Sequence, residues 1–183
     1  GSECHFRDLR IKELPSTGPK PEEVAREADG FVPLFTGTDL RNWKVPAGDN
    51  GHWKVAGEVI DYDARSEAPG DKNLWSEKSY KDFQLVVDWR IKETPYRNPR
   101  ASNILPDGSE EKDAGGNPIH ITVPDSDSGI FLRGLSKYQV NIWCWPVGSG
   151  EMYGVRRDPA MPPEVRAGVT PKAKADNPVG QWN

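Results

Sequence analysis

Phe83, Leu85, Val87, Trp89 and Ile91 recur at every second position, with Gln84, Val86, Asp88, Arg90 and Lys92 around them. A two-residue period puts these sets on opposite faces of an extended chain, so 82–92 is predicted to be a strand. The stretch 137–145 repeats the pattern, with Tyr138, Val140 and Ile142 set against Gln139, Asn141 and Trp143. Between the two, Ile130 and Leu132 oppose Phe131 and Arg133. Shorter runs bounded by Gly, Pro and Asn predict further strands over 31–35, 52–56, 58–62, 73–77, 128–133 and 151–155. Near the start, Leu9 and Ile11 alternate with charged neighbours, Phe6 and Leu14 fit only partly, and Pro15 stops the segment 5–14. No long periodic helix survives the Gly and Pro punctuation. A short helix fits 21–28, with Pro21 in its first turn and Glu22 and Glu23 suiting the N-terminal dipole.

Composition supports a sheet protein. Of 183 residues, 18 are Gly and 17 are Pro, a surplus that implies many turns, and only 35% are apolar. Seven Trp in so polar a chain point to aromatic faces offered to ligands. The net charge of −4 and the lack of a basic run interleaved with aromatics argue against nucleic acid as a partner. No run of ~18 apolar residues exists to span a membrane, and no signal peptide is visible. Cys4 and Cys144 are too few for a disulfide framework.

Residues 16–30, rich in Pro and charge, read as a linker. The polar stretch 93–127 reads as a long loop, a functional lid or a mobile segment. One face of the predicted sheet is apolar, and the other carries Arg, Asp, Gln, Asn and Trp. That is the pattern of a sugar-binding sandwich.

Four segments resemble the 3-keto-disaccharide hydrolase family. They are 31–43 (FVPLFTGTDLRNW), 53–61 (WKVAGEVID), 80–90 (YKDFQLVVDWR), and 128–133 (SGIFLR) leading on to 138–141 and 150–154. The resemblance covers roughly 31–183. It implies an all-β fold, an antiparallel two-sheet sandwich of the concanavalin A-like lectin/glucanase (jelly-roll) type with long polar loops. Segment 5–14 looks like the family's last strand, placed here before the first. The expected organisation is therefore 1–15 as the last strand of a preceding repeat or an exchanged strand, 16–30 as linker, and 31–183 as a sandwich lacking its C-terminal hairpins. A strand-completing second chain or homodimer would then cover the open edges. A periplasmic or secreted location also rests on the resemblance.

The reaction implied starts from a sugar oxidised at carbon 3, whose ketone acidifies the hydrogen on carbon 2. A base, an enolate stabiliser and an acid for the leaving oxygen are required. Arg90 and Arg133 are the expected oxyanion stabilisers and Glu151 the acid or base, with Asp88 a second carboxylate. Gln139 and Asn141 would orient hydroxyls, Trp143 would stack on the sugar and Tyr153 would assist. Where the family commonly has a glutamate and a glutamine on the strand 138–142, this chain has Gln139 and Asn141. That departure supports an alternative, a non-catalytic carbohydrate-binding module of a tandem protein.

Competing readings stand beside each residue. Arg90 and Arg133 could pair with Asp88 across strands, and Glu151 could be an exposed turn residue. Of Trp143 and Trp145 one is expected in the core, as are Trp43, Trp53 and Trp89. Asp125 and Asp127, with Ser126 and Ser128, fit either a structural calcium site or a plain surface turn. His5, His52 and His120 show no metal spacing, so no metal is expected at the site, and no other cofactor either. Residues 148–150 (GSG) lack the context of a nucleophile elbow or a phosphate loop.

Overall fold

A computed structural model describes residues 3–13, 30–64 and 70–183 of the chain. The predicted linker and the helix over 21–28 lie outside these residues, apart from Gly30. The described residues form two compact units, Glu3–Arg90 with Trp182–Asn183, and Ile91–Gln181. The fold is nearly all-β, and every pairing of known register is antiparallel. Its curled antiparallel sheets are those of a β-sandwich protein.

The first unit holds β1 (Cys4–Glu13), β2 (Val32–Pro33), β3 (Trp43–Lys44), β4 (Trp53–Ala56), β5 (Val59–Tyr62), β6 (Trp75–Ser76) and β7, which runs over Phe83–Ile91. The main sheet has the order β2-β1-β5-β4, with β7 also paired to β1. At the far edge Trp89 exchanges both backbone hydrogen bonds with Asn183, at 3.1 and 2.9 Å. β1 thus lies inside a sheet of its own chain, and β3 and β6 form a separate pair.

The partial alternation of β1 has a local cause. Cys4 and Phe6 are buried at even positions, Leu9 and Ile11 at odd ones. Between them Asp8 takes a left-handed conformation (φ 51°), which resets the phase of the strand as a bulge does. The four stay buried on either side of this reset, as Phe35 and Ile60 of the same unit are. β4 and β5 join through Gly57 and Glu58, both at positive φ (57° and 62°), the requirement of a tight two-residue hairpin. This turn fixes the register that sets Lys54 opposite Asp61.

The second unit holds β8 (Arg97–Ser102), β9 (His120–Pro124), β10 (Asp127–Phe131), a 3-10 turn at Ser136–Tyr138, β11 (Gln139–Trp143), α1 (Tyr153–Arg156) and α2, Pro163–Gly168. The polar stretch 93–127 is therefore a hairpin rather than an open loop, since β8 pairs with β9 and single bridges at Ile104–Glu110 and Lys112–Pro118 extend the arm. Short carboxylates hold its turns. Asp107 accepts from Ser109 N at 2.9 Å, and Asp113 from Gly115 N and Asn117 N at 2.8 and 2.9 Å.

The strand expected over 151–155 is replaced by α1, with Met152 alone bridging to Val140. Gly154 permits this, because a Cβ there would stand 2.5 Å from the Lys137 carbonyl oxygen. Backbone packs on backbone at that point.

Candidate active site

The two polar faces expected to make one site differ in character. In the second unit, β10 and β11 pair directly, with Gly129 opposite Asn141. Beyond β11 the chain folds back, so that Asn141 N donates to Glu151 O and Gly150 N to Asn141 O, both at 2.8 Å. The returning segment thus pairs along the edge of β11 that β10 leaves free, in the plane of the sheet. Asn141 is 2% exposed and Glu151 0%.

The Glu151 carboxylate accepts from Asn141 Nδ2 at 3.2 Å and forms an ion pair with Arg156 Nε. Arg156, 4% exposed, also donates to the Gly108 carbonyl at 3.4 Å. Burial pulls the Arg156 pKa down, and the charge of Glu110 opposes that shift. The Glu151 carboxylate is thus sealed from solvent and locked to a guanidinium, with Asn141 as its second partner.

Other expected contacts in this unit are also engaged. Trp143 is buried with Ile104 and Val147, and its Nε1 donates to the Gly148 carbonyl at 2.7 Å. Trp145 stacks on it at 4.4 Å and donates to Asp125 Oδ1 at 2.8 Å. The second Asp125 oxygen accepts from Asn98 Nδ2 at 3.0 Å, so this carboxylate is committed to the hairpin. Gln139 lies across Gly129 and donates to the Ser128 carbonyl at 3.3 Å. Tyr153 meets Trp143 edge-on and its hydroxyl accepts from Arg157. Arg133 is exposed in a turn at φ 55°.

The first unit gathers a different set. Arg90 and Asp88, alternate residues of β7, share a sheet with β1 and β5. Arg90 Nη2 lies 2.6 Å from His5 Nδ1. A guanidinium has no acceptor, so Nδ1 accepts and the ring proton sits on Nε2. Nε2 meets Asp61, which is directly opposite His5 in the register of β1 and β5. The other Asp61 oxygen is 3.5 Å from Lys54 Nζ. Asp88, half-exposed, faces Arg7 Nε at 3.6 Å.

Both guanidiniums lie over one indole. The Arg7 Cζ is 4.1 Å and the Arg90 Cζ 4.8 Å from the Trp182 ring centroid. Cation–π attraction therefore holds two fixed positive charges beside an accessible carboxylate. One sheet face thus carries an imidazole, carboxylates, guanidiniums and an aromatic ring. Such a face can bind hydroxyls, stabilise an oxyanion and move a proton.

Of the expected site residues, the structure brings Arg90 and Asp88 together. Gln139, Asn141, Trp143, Glu151 and Tyr153 are grouped in the other unit, and the expected pairing of Asp88 with Arg90 or Arg133 is replaced by Asp88 with Arg7. Sequence reasoning missed His5, Arg7, Asp61 and Trp182. The i, i+2 spacing of His5 and Arg7 was a signal for one face. Nothing in their spacing pointed to Asp61, since only strand pairing joins it to His5. Trp43, Trp53 and Trp89, expected in the core, are half-buried. Trp53 packs on Tyr62 at 4.7 Å.

No helix among the described residues is long and apolar enough to cross a membrane. No curated protein and no solved structure shows significant similarity to the chain. A family model described as the 3-keto-alpha-glucoside-1,2-lyase-like domain matches residues 30–183, leaving β1 with His5 and Arg7 outside the matched span. That name points to carbohydrate-active lyase or hydrolase chemistry on 3-keto-glycosides. The chain belongs to the 3-keto-alpha-glucoside-1,2-lyase-like domain family.

Proposed function

We propose that the protein cleaves 3-keto-glycosides by elimination on the polar face of the β1, β5 and β7 sheet. The observation that carries this is the Arg90 guanidinium, held on one side by His5 and on the other by Trp182. A preorganised cation of this kind is what a developing enolate needs. Asp88, half-exposed beside Arg7, is the base that takes the proton from carbon 2. The released electron pair forms the enolate on the C3 oxygen, facing Arg90. It then returns to form the C1–C2 double bond as the glycosidic oxygen leaves, taking the proton that Asp88 removed from carbon 2 and so restoring the carboxylate. Addition of water to that double bond would complete a hydrolysis.

Saccharide binding without turnover is the second reading, and the sealing of Glu151 favours it. One experiment separates the two. The protein is incubated with a 3-keto-disaccharide and with the same disaccharide unoxidised, and release of the leaving sugar is followed by NMR. Cleavage of the keto sugar alone supports elimination. Binding without release supports the module, and release from the unoxidised sugar would refute the proposed chemistry.

A further inference from the structure

Glu3, His5 and Asp61 each present one ligand-type atom within 4.8 Å of the others, and their exposures are only 5%, 7% and 5%. Glu3 immediately precedes β1, His5 is its second residue, and Asp61 is the cross-strand partner of His5 on β5. The three atoms lie close enough for one ion to reach them all, and Lys54 Nζ stands 3.5 Å from the Asp61 oxygen that does not face His5.

We propose that these three side chains hold a divalent transition ion, one per chain, that clamps β1 to β5. This inference goes beyond the lyase reading and stands without it. Two oxygens and an imidazole nitrogen suit ions of the Zn2+ or Mn2+ kind rather than Ca2+, which takes oxygen ligands. Three protein ligands leave further positions for water. The clamp would tie a strand outside the family-matched span to a strand within it.

The ion has a competitor for the same ring. Arg90 donates into His5 Nδ1, which keeps the ring proton on Nε2, the nitrogen that faces Asp61. A metal on Nε2 displaces that proton, and a neutral imidazole then carries its hydrogen on Nδ1, against the Arg90 donors. Loading the site therefore requires Arg90 to turn away from His5. Metal and guanidinium exclude one another at a single imidazole.

The test is calorimetric titration of the metal-stripped full chain with zinc, manganese and calcium chlorides, alongside thermal unfolding. Zn2+ or Mn2+ is expected to bind one-to-one and to raise Tm by several degrees, as any ligand of the folded state does. Loss of even an outer partner weakens a metal site about 10- to 100-fold. His5→Gln and Asp61→Asn should therefore each weaken binding at least about 10-fold, with circular dichroism confirming the fold. Arg90→Gln should tighten it. Wild-type protein that binds neither ion overturns the proposal, whatever the variants do. So does binding that is unchanged in both ligand variants, preference for Ca2+, or weaker binding in Arg90→Gln. No sugar enters the measurement, so its failure and that of the lyase reading are distinguishable.

Discussion

Glu151 and Arg156 form an ion pair closed to solvent, five residues apart across the turn into α1. Its burial makes the pair a structural element of the second unit. Removing one partner leaves the other charge buried and uncompensated, which costs about 3–5 kcal/mol. Glu151→Ala and Arg156→Ala should each lower the thermal unfolding midpoint sharply. A variant that unfolds as the wild type does would show that the pair is not sealed.

Gly129 sits opposite Asn141 and beneath the side chain of the neighbouring Gln139. A Cβ added there would stand 2.6 Å from Gln139 Nε2 and 2.7 Å from the Val140 carbonyl oxygen. Gly129→Ala is therefore expected to destabilise the protein by about 1–3 kcal/mol in denaturant unfolding, as overpacking does. Adding Gln139→Ala should recover part of the loss, because the side-chain clash goes and the backbone clash stays. Full recovery would mean that the backbone yields.

Burial pushes the Cys144 thiol up from 9.0 to about 11, against the opposing charge of Lys174. The reactive species is the thiolate, and a thiol that titrates this much higher carries about 100-fold less of it at any pH below both values. Iodoacetamide at pH 8 should modify Cys144 about 100-fold more slowly than an unperturbed thiol, followed by mass spectrometry. Rapid labelling would contradict that burial.

What could be read from the residues was what local rules decide. β7 stands out because its apolar residues recur at every second position across all nine residues, with Val86 alone apolar on the other face, and the β4–β5 hairpin because its turn lies between two short apolar runs. β1 is half readable, since Asp8 shifts the phase that periodicity depends on. The β8–β9 arm reads as loop because β8 is polar and contains Pro (RNPRAS), although Asp107-Gly108 and Gly115-Gly116 mark its turns. The helix at 153–156 is hidden by a contact, the approach of Gly154 to the Lys137 backbone, which no pattern of polarity encodes.

The site follows the same division. Arg90 and Asp88 can be placed on a polar face from β7 alone. His5 and Asp61 lie 56 positions apart and meet only because β1 enters the sheet beside β5. On β11 the alternation is sound but misleading, since Asn141 and Trp143, on the face expected to be open, are buried as deeply as Ile142 on the other. A period of two tells which side chains share a face; it does not tell what lies on top.

The polar face of the β1, β5 and β7 sheet is most directly tested by kcat/KM on a 3-keto-disaccharide for Arg90→Ala beside Gln139→Ala. Arg90→Ala should lose about 100-fold, chiefly in kcat, as removal of an oxyanion partner does. Gln139→Ala, on the other unit's strand and bonded to the Ser128 carbonyl, should stay within about 3-fold of wild type. Wild-type turnover in Arg90→Ala, or the larger loss in Gln139→Ala, would place the chemistry elsewhere.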